Sequence, residues 1–336
     1  MEDQKFPFSK VKALRFSSFR ELGLVFFIIA LSIAVQARSH EFFSLNNMSN
    51  LFTNAAILGI LSVGMMMVLL TGGIDLSVGA VVAFSGMVCG LTVKAYPEIA
   101  IPLVLLEGAL VGAVIGLVNG ILIARFSILP IIATLGIMNA VRGMTYIVSG
   151  GAWVSAYQMP SSFKNLATDK ILGINNLIVI AIVVYVIFFF FINHSKTGRR
   201  IYAVGSNREA ADIIGLPSVR IITLVYTLEG ILSGIGGVLW VSKFASAQGD
   251  TAMGYEMNVI ASCVLGGIAV SGGRGRVAGL VLGVILFGIL ANALPLINVS
   301  PFWQQAIQGI VILAAIITNV MIKRNNDQVN LRRRAI

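Results

Sequence analysis

Residues 206–217, Ser-Asn-Arg-Glu-Ala-Ala-Asp-Ile-Ile-Gly-Leu-Pro, form the centre of the longest charged interruption in the second half of an otherwise apolar chain. Ser206 followed three residues later by Glu209 fits a capping box, and Gly215 with Pro217 fits a helix stop. The pattern therefore predicts a helix of about two turns between these signals. Helix nucleation costs more than so few hydrogen bonds return, so we expect another surface to pack on this helix.

The predicted helix has one apolar side. Ala210, Ile213 and Ile214 fall at helical spacing, as expected for a small plug that enters a groove of another protein. An amphipathic connector lying on the bilayer surface would show the same periodicity. Periodicity alone therefore leaves two alternatives open, a docking helix and a surface connector.

The composition predicts a membrane protein. Of the 336 residues, 57% are hydrophobic and 11% are charged, which is too apolar for a soluble domain. The 24 Lys and Arg outnumber the 14 Asp and Glu, but they lie in tails and loops between apolar runs. They therefore indicate orientation in a membrane, and nucleic-acid binding is not expected. Cys89 and Cys263 lie in apolar runs without CxxC spacing and predict neither a disulfide nor a metal site.

Ten apolar runs approach the ~20 residues that cross a hydrocarbon core of about 30 Å. They are residues 22–37, 50–70, 75–93, 99–123, 129–148, 175–193, 220–241, 255–271, 277–297 and 302–322. We therefore expect an all-α, polytopic integral membrane protein of about ten transmembrane helices. It would have a tail at 1–21, a single transmembrane domain at 22–322 with a polar loop at 194–219, and a tail at 323–336.

Basic residues are unevenly distributed between the two sides that this order of spans creates. With a cytoplasmic N-terminus, 18 of the 24 fall in cytoplasmic segments, which include the loop at 194–219. The positive-inside rule then predicts a multi-pass membrane protein with both termini cytoplasmic. The basic N-terminus, the first apolar run and Val35-Gln36-Ala37 also imitate a cleavable signal, but the length of the run favours a retained helix.

Three motifs together resemble one transporter family. Glu209-Ala210-Ala211 followed by Gly215 resembles the EAA…G loop of ATP-binding-cassette (ABC) importer permeases. Residues 70–79, Leu-Thr-Gly-Gly-Ile-Asp-Leu-Ser-Val-Gly, and residues 255–273, from Tyr-Glu to two Gly-Gly pairs, resemble the membrane subunits of ribose- and xylose-type sugar importers. The resemblance to sugar importers is more specific than the resemblance to ABC importer permeases in general. It extends over roughly residues 51–322.

The resemblance implies a permease subunit that moves a monosaccharide, a pentose, hexose or related sugar, into the cytoplasm. It also implies the vitamin-importer-like (type II) ABC permease fold. Energy would come from a separate ABC ATPase subunit that carries ATP and Mg. The chain itself has no GxxxxGK[ST] motif, so we expect neither an enzyme nor a cofactor site. The other implied partners are a periplasmic or lipid-anchored solute-binding protein, membrane lipid, and a second permease copy or homologue, giving a homodimer or heterodimer.

By this resemblance, the short polar helix docks on the ATPase. The candidate coupling residues are Ser206, Glu209, Ala210, Ala211, Ile213, Ile214 and Gly215. A second contact with the ATPase is expected at Arg274 and Arg276, within residues 273–278, Gly-Arg-Gly-Arg-Val-Ala. That stretch also fits a GxGxxA dinucleotide pattern, but it lacks the preceding strand and lies between two predicted spans, so we reject nucleotide binding there.

Polar residues within the spans are the candidates for a translocation path, because a charge in the bilayer normally faces a partner or a wet cavity. They are Asp75, Asn119, Glu229, Glu256, Asn258 and Asn292. Asp75, two positions before Ser77, fits both a helix cap and a path residue. Glu229 is either a feature specific to the substrate or a neutral, hydrogen-bonded core carboxylic acid. Glu256 fits the family motif, but Asn258 stands where an acidic residue often occurs, so a paired-carboxylate role is in doubt.

Glu107 and Arg142 fall at similar depths on sequential antiparallel spans, and this predicts an ion pair. A second polar loop, residues 149–175, carries aromatic residues. It fits both a landing surface for a solute-binding protein and an aromatic belt at the membrane interface.

Three rival functions differ in what they would require. The rival nearest to a sugar permease is a branched-chain amino-acid permease of the same superfamily, and residues 70–79 argue against it. A self-sufficient ion-coupled transporter would work without ATP or a second protein. A structural membrane scaffold would show no transport.

Overall fold

The computed structural model describes residues 10–311, 313, 314, 317 and 321, with side chains from residue 21 onward. Residues 1–9 of the expected tail at 1–21, the expected tail at 323–336 and part of the last predicted span lie outside these residues. The named helices are α1 (Lys10–Arg38), α2 (Leu45–Leu70), α3 (Val78–Ala95), α4 (Ile101–Ala124), α5 (Pro130–Ser149), α6 (Ser161–Thr168), α7 (Asn176–His194), α8 (Lys196–Ser206), α9 (Arg208–Ile213), α10 (Ser218–Phe244), α11 (Tyr255–Leu265) and α12 (Val277–Leu296). A helical segment follows at residues 301–311.

Eight helices in the described part of the chain are long and apolar enough to cross a membrane. They are α1, from Glu21 onward, α2, α3, α4, α5, α7, α10 and α12. The prediction of an all-α, multi-spanning membrane protein is therefore confirmed. The only described strands are β1 (Lys170–Ile171) and β2 (Ile174–Asn175), which form an antiparallel hairpin.

The predicted span at 255–271 is wrong. The helix there, α11, has only 11 residues and ends at Leu265. Residues 266–276 continue without a helix to α12, and Gly267, Gly272 and Gly273 all have positive φ. An apolar run indicates hydrophobic residues but does not show that all of them are helical. Here the first glycine pair, Gly266 and Gly267, ends the helix partway across the bundle.

Helix α2 lies at the centre of the bundle. Every residue from Ala55 to Leu70 is buried, and α2 contacts α7, α10, α11 and α12. Helix α10 packs most extensively on α4, because glycines on both helices bring the backbones together. A methyl group at Gly230 would overlap the carbonyl oxygen of Gly112, and one at Gly234 would overlap that of Gly108.

The bundle has two distinct ends. The α9 end carries α8, α9 and the non-helical segments at 71–77 and 266–276. At this end the backbone N–H of Gly273 donates to the carbonyl oxygen of Leu70 over 2.9 Å. The α6 end carries α6, the β1–β2 hairpin and the 3-10 turn Ala156–Gln158. Because the connecting segments differ, the two ends of the bundle present different surfaces.

Candidate translocation path and docking surface

Helix α9 has well-defined caps. At its start, Oδ1 of Asn207 accepts a hydrogen bond from the Ala210 N–H over 2.9 Å. The predicted Ser206–Glu209 capping box is therefore wrong, because α8 runs on through Ser206 and leaves the cap to Asn207, an equally good capping residue. At its end, Gly215 has φ +80°, the left-handed conformation expected for a stop.

The two faces of α9 differ in exposure. Ile213 and Ile214 are 85% and 74% exposed, and Glu209 and Ala210 are also exposed. Ala211 is 3% exposed and packs into the main hydrophobic core. The expected contact of Ala211 with a partner is thus contradicted by its position, since its methyl group faces this chain. We call the exposed side chains of Glu209, Ala210, Ile213 and Ile214 the α9 surface.

Contacts with neighbouring elements hold α9 and α8 on the bundle. Nη2 of Arg208 donates to the carbonyl oxygen of Ala124, at the end of α4, over 3.1 Å. The Tyr202 hydroxyl on α8 donates to the carbonyl oxygen of Gly275 over 2.9 Å. Burial raises the pKa of Tyr202, so this hydroxyl stays protonated to a higher pH than an exposed tyrosine does. These two hydrogen bonds therefore hold the α9 surface in a defined position on the bundle.

Arg274 and Arg276 are exposed at the same end of the bundle. Arg276 lies 3.8 Å from a carboxylate oxygen of Glu21 on α1. The structure thus brings both expected ATPase contacts to one end, on separate segments.

A cavity opens at the α6 end, where α2, α10, α11 and α12 meet. It comprises two adjoining volumes of about 470 and about 190 Å³. Its polar lining is Asn47, Asn50, Thr53, Asn54, Lys243, Asn258 and Asn292, and its aromatic lining is Trp240, Phe244, Tyr255 and Phe287. We call this cavity the asparagine vestibule.

Hydrogen bonds hold several vestibule side chains in place. Asn47 and Asn292 exchange two amide hydrogen bonds of 3.0 Å. Nζ of Lys243 contacts Oδ1 of Asn54. The rings of Trp240 and Tyr255 pack edge to face with centroids 4.8 Å apart. Binding sites for small molecules usually combine apolar and aromatic surface with a few polar groups that orient the ligand. The vestibule has this combination, and its amide donors and acceptors suit a small polar solute.

A third polar group lies deep in the bundle. Its members are Asp75 and Ser77 beside α3, Asn119 on α4, and Glu229 and Ser233 on α10, and all are buried. We call it the buried carboxyl cluster. Nδ2 of Asn119 donates to Oγ of Ser77 over 2.9 Å, and Oγ of Ser233 donates to Oε1 of Glu229 over 2.9 Å.

Comparison with known proteins identifies the family. Residues 47–316 match the family described as the branched-chain amino acid transport system / permease component. The chain belongs to this permease family. The ribose import permease protein RbsC of Bacillus subtilis is 38% identical over 88% of this chain and 90% of its own. The L-arabinose ABC transporter permease protein AraH of Azospirillum brasilense is 36% identical over 88% and 86%. No solved structure shows significant similarity to this chain.

Five of the predicted path residues lie in two separate places in the permease, the asparagine vestibule and the buried carboxyl cluster. Asn258 and Asn292 line the vestibule. Asp75, Asn119 and Glu229 meet in the buried carboxyl cluster, and none of the three lines the vestibule.

The remaining predicted path residue, Glu256, is buried at the start of α11 and also lies outside the vestibule lining. A Cβ atom at Gly79 would lie 2.5 Å from its Oε2. Glycine at position 79 thus leaves room for the Glu256 carboxyl.

Asp75 acts as a local turn residue. Its Oδ1 accepts hydrogen bonds from the backbone N–H of Ser77 over 2.7 Å and from the Ser77 hydroxyl over 2.6 Å. The N-cap position of α3 is Ser77, so Asp75 stabilises the turn just before the helix, and the capping alternative holds only in this modified form.

The predicted ion pair between Glu107 and Arg142 is wrong. Oε1 of Glu107 accepts from the Thr92 hydroxyl over 2.8 Å. Nη1 of Arg142 donates to the carbonyl oxygens of Gly249 and Thr251 over 2.9 and 2.7 Å. Equal depth does not place two side chains on facing sides of their helices, and here they face different neighbours.

Sequence reasoning missed most of the vestibule. The residues it overlooked are Asn47, Asn50, Thr53, Asn54 and Lys243. A signal was present, because three asparagines fall within residues 46–50 and Asn54 follows one turn later, at the start of an apolar run. Among the described residues, no group of three or more His, Cys, Asp or Glu side chains could hold a metal.

Proposed function

We propose that this permease is the transmembrane subunit of an ABC importer that carries a monosaccharide into the cytoplasm. The carrying observation is the asparagine vestibule at one end of a bundle whose other end presents the α9 surface. A neutral polyol is recognised by amide donors and acceptors, and the vestibule offers several beside aromatic rings. The names of the ribose and arabinose relatives support the same substrate class.

The proposal includes three kinds of partner. A separate ABC ATPase subunit with ATP and Mg docks on the α9 surface and near Arg274 and Arg276. A periplasmic or lipid-anchored solute-binding protein delivers the sugar at the α6 end. A second permease, identical or homologous, completes the path, and this chain contributes neither cofactor nor catalysis.

The proposed orientation places the α9 end in the cytoplasm of a cell with an inner membrane, with tails at 1–21 and 323–336 on either side of one domain at 22–322. The distribution of basic residues supports it. We expect an Arg200→Cys variant to be shielded from an impermeant thiol reagent in intact cells and a Lys170→Cys variant to be labelled. Both residues are exposed, and both variants would be made in a background without Cys89 and Cys263. Labelling at position 200 with shielding at 170 would reverse the orientation.

The vestibule proposal is tested by Asn258→Leu. Removal of an amide that holds a sugar hydroxyl is expected to lower sugar uptake about tenfold, since one hydrogen bond of about 1.4 kcal/mol corresponds to that factor. Uptake would be measured with pentoses, hexoses, deoxysugars and, as the competing class, leucine, in vesicles containing the ATPase and the binding protein.

Asn139→Leu is the matched control. Asn139 lies on α5, where its amide donates only to its own helix at Leu135 over 2.9 Å, so its loss should leave uptake unchanged. Equal effects of the two substitutions, or uptake of leucine and of no sugar, would contradict the proposed role of the vestibule.

A further inference from the structure

Two carboxyl groups lie side by side in the interior of the permease. Asp75, in the non-helical segment 71–77, and Glu229, on α10, are each 1% exposed. Their side chains are within hydrogen-bonding reach of each other. Among the described residues, neither carboxyl forms a salt bridge with a Lys, Arg or His side chain. The other titratable groups near the pair, Tyr226 on α10 and Cys263 on α11, supply no positive charge.

The hydrogen bonds around the pair leave one oxygen without a donor. Oδ1 of Asp75 accepts twice from Ser77, and its Oδ2 faces the Asn119 amide over 3.4 Å. Oε1 of Glu229 accepts from Ser233. Oε2 of Glu229 is buried with no protein donor. A buried acceptor left in this state is costly, so something must satisfy it.

Two adjacent ionised carboxylates cannot both persist in such a site. Burial removes the hydration of each charge, and the two charges repel at close range. Two carboxyl groups that share a hydrogen bond need one proton between them. A bound metal ion is less suited to the site, because it needs several free oxygen ligands and most of these oxygens already accept from protein donors.

We propose that Asp75 and Glu229 form a buried proton-binding site that holds one exchangeable proton and thereby fastens segment 71–77 to α10. Segment 71–77 connects α2 to α3, and the Tyr226 hydroxyl, one turn before Glu229, donates to the carbonyl oxygen of Ile74 over 3.3 Å. Helix α10 begins at Ser218, five residues after α9 ends. The pair therefore joins a break between spans to the helix that leads from the α9 surface. Loss of the proton would leave two carboxylates that push these elements apart.

The site is tested in purified full-length permease in lipid nanodiscs, without any transport measurement. With the glutamates ¹³C-labelled, infrared spectra should show the C=O band of a protonated acid that disappears in Glu229→Gln. Thermal stability of the wild type should fall as the pH is raised from neutral, because deprotonation creates the repelling pair. In Glu229→Gln the amide N–H replaces the acid O–H, so this fall should be largely abolished.

Glu107→Gln is the matched control. The Glu107 carboxyl also accepts from one hydroxyl and also has a buried oxygen without a donor, but it contacts Thr92 and Cys89 in place of a second acid. The Glu107→Gln substitution should leave the infrared band of Glu229 and the loss of stability at alkaline pH unchanged.

Several outcomes would overturn the proposal. One is a labelled spectrum in which Glu229→Gln removes no acid band, and another is a pH profile equal in the wild type and Glu229→Gln. Stability that follows Na⁺ or K⁺ concentration at fixed pH would show a metal cation in place of the proton. If Glu229→Gln does not fold, the pH titration of the acid band in labelled wild type and in Asp75→Asn decides the same question. A band that persists unchanged to alkaline pH in both would contradict an exchangeable shared proton.

Discussion

Replacing Gly230 with valine is expected to lower the stability of the folded permease by more than about 3 kcal/mol, which would prevent its accumulation as a monodisperse protein. The added Cβ would overlap the carbonyl oxygen of Gly112 and crowd the Cα of Gly116 on α4. These neighbours are backbone atoms, so no flexible side chain can move aside. Helices α4 and α10 would have to separate along their most extensive contact.

The measurement is the size-exclusion profile and thermal melting of the detergent-purified variant. Gly143→Val is the matched control, because Gly143 lies on α5 with no atom within 4 Å of an added Cβ. It should purify and melt like the wild type. A stable Gly230→Val variant would show that α4 and α10 do not pack this closely.

The double substitution Ile213→Glu and Ile214→Glu is expected to weaken binding of the ATPase subunit about 100-fold or more. Burial of one isoleucine contributes about 1.5–3 kcal/mol, and the variant replaces two such contacts with charges. Both side chains point away from the permease core, so the variant should insert and fold normally. ATPase co-purification and ATP-driven uptake should both be lost.

The control for this prediction lies at the opposite end of the bundle. Leu172, in the turn of the β1–β2 hairpin, is 98% exposed, and Leu172→Glu should leave ATPase association intact. Ala211→Arg is unsuitable as a docking test, because Ala211 faces the permease core and the variant would destabilise this chain itself. Normal ATPase recovery with the isoleucine double variant would favour the surface-connector alternative for α9.

Local chemistry explains which parts of the structure could be predicted. The stop of α9 depends on one residue, Gly215, whose left-handed conformation is encoded by the absence of a Cβ. The start was misplaced by one residue because Ser206 and Asn207 are both good caps, and only the path of α8 decides between them.

Features that depend on contacts between distant residues were less predictable. The vestibule joins residues from four helices, including Asn47 and Asn292, which are 245 positions apart. The pairing of Asp75 with Glu229 likewise depends on how α10 packs beside segment 71–77, which no local pattern encodes.

The most direct measurement is uptake of labelled sugar into proteoliposomes that contain the permease, its ATPase subunit and, on the α6 side, its solute-binding protein. We expect uptake only when all three proteins and ATP are present, with ATP needed on the α9 side, and no uptake when a transmembrane ion gradient replaces ATP. Sugar uptake by the permease alone, driven by an ion gradient without ATP or the other two proteins, would contradict an ABC import function.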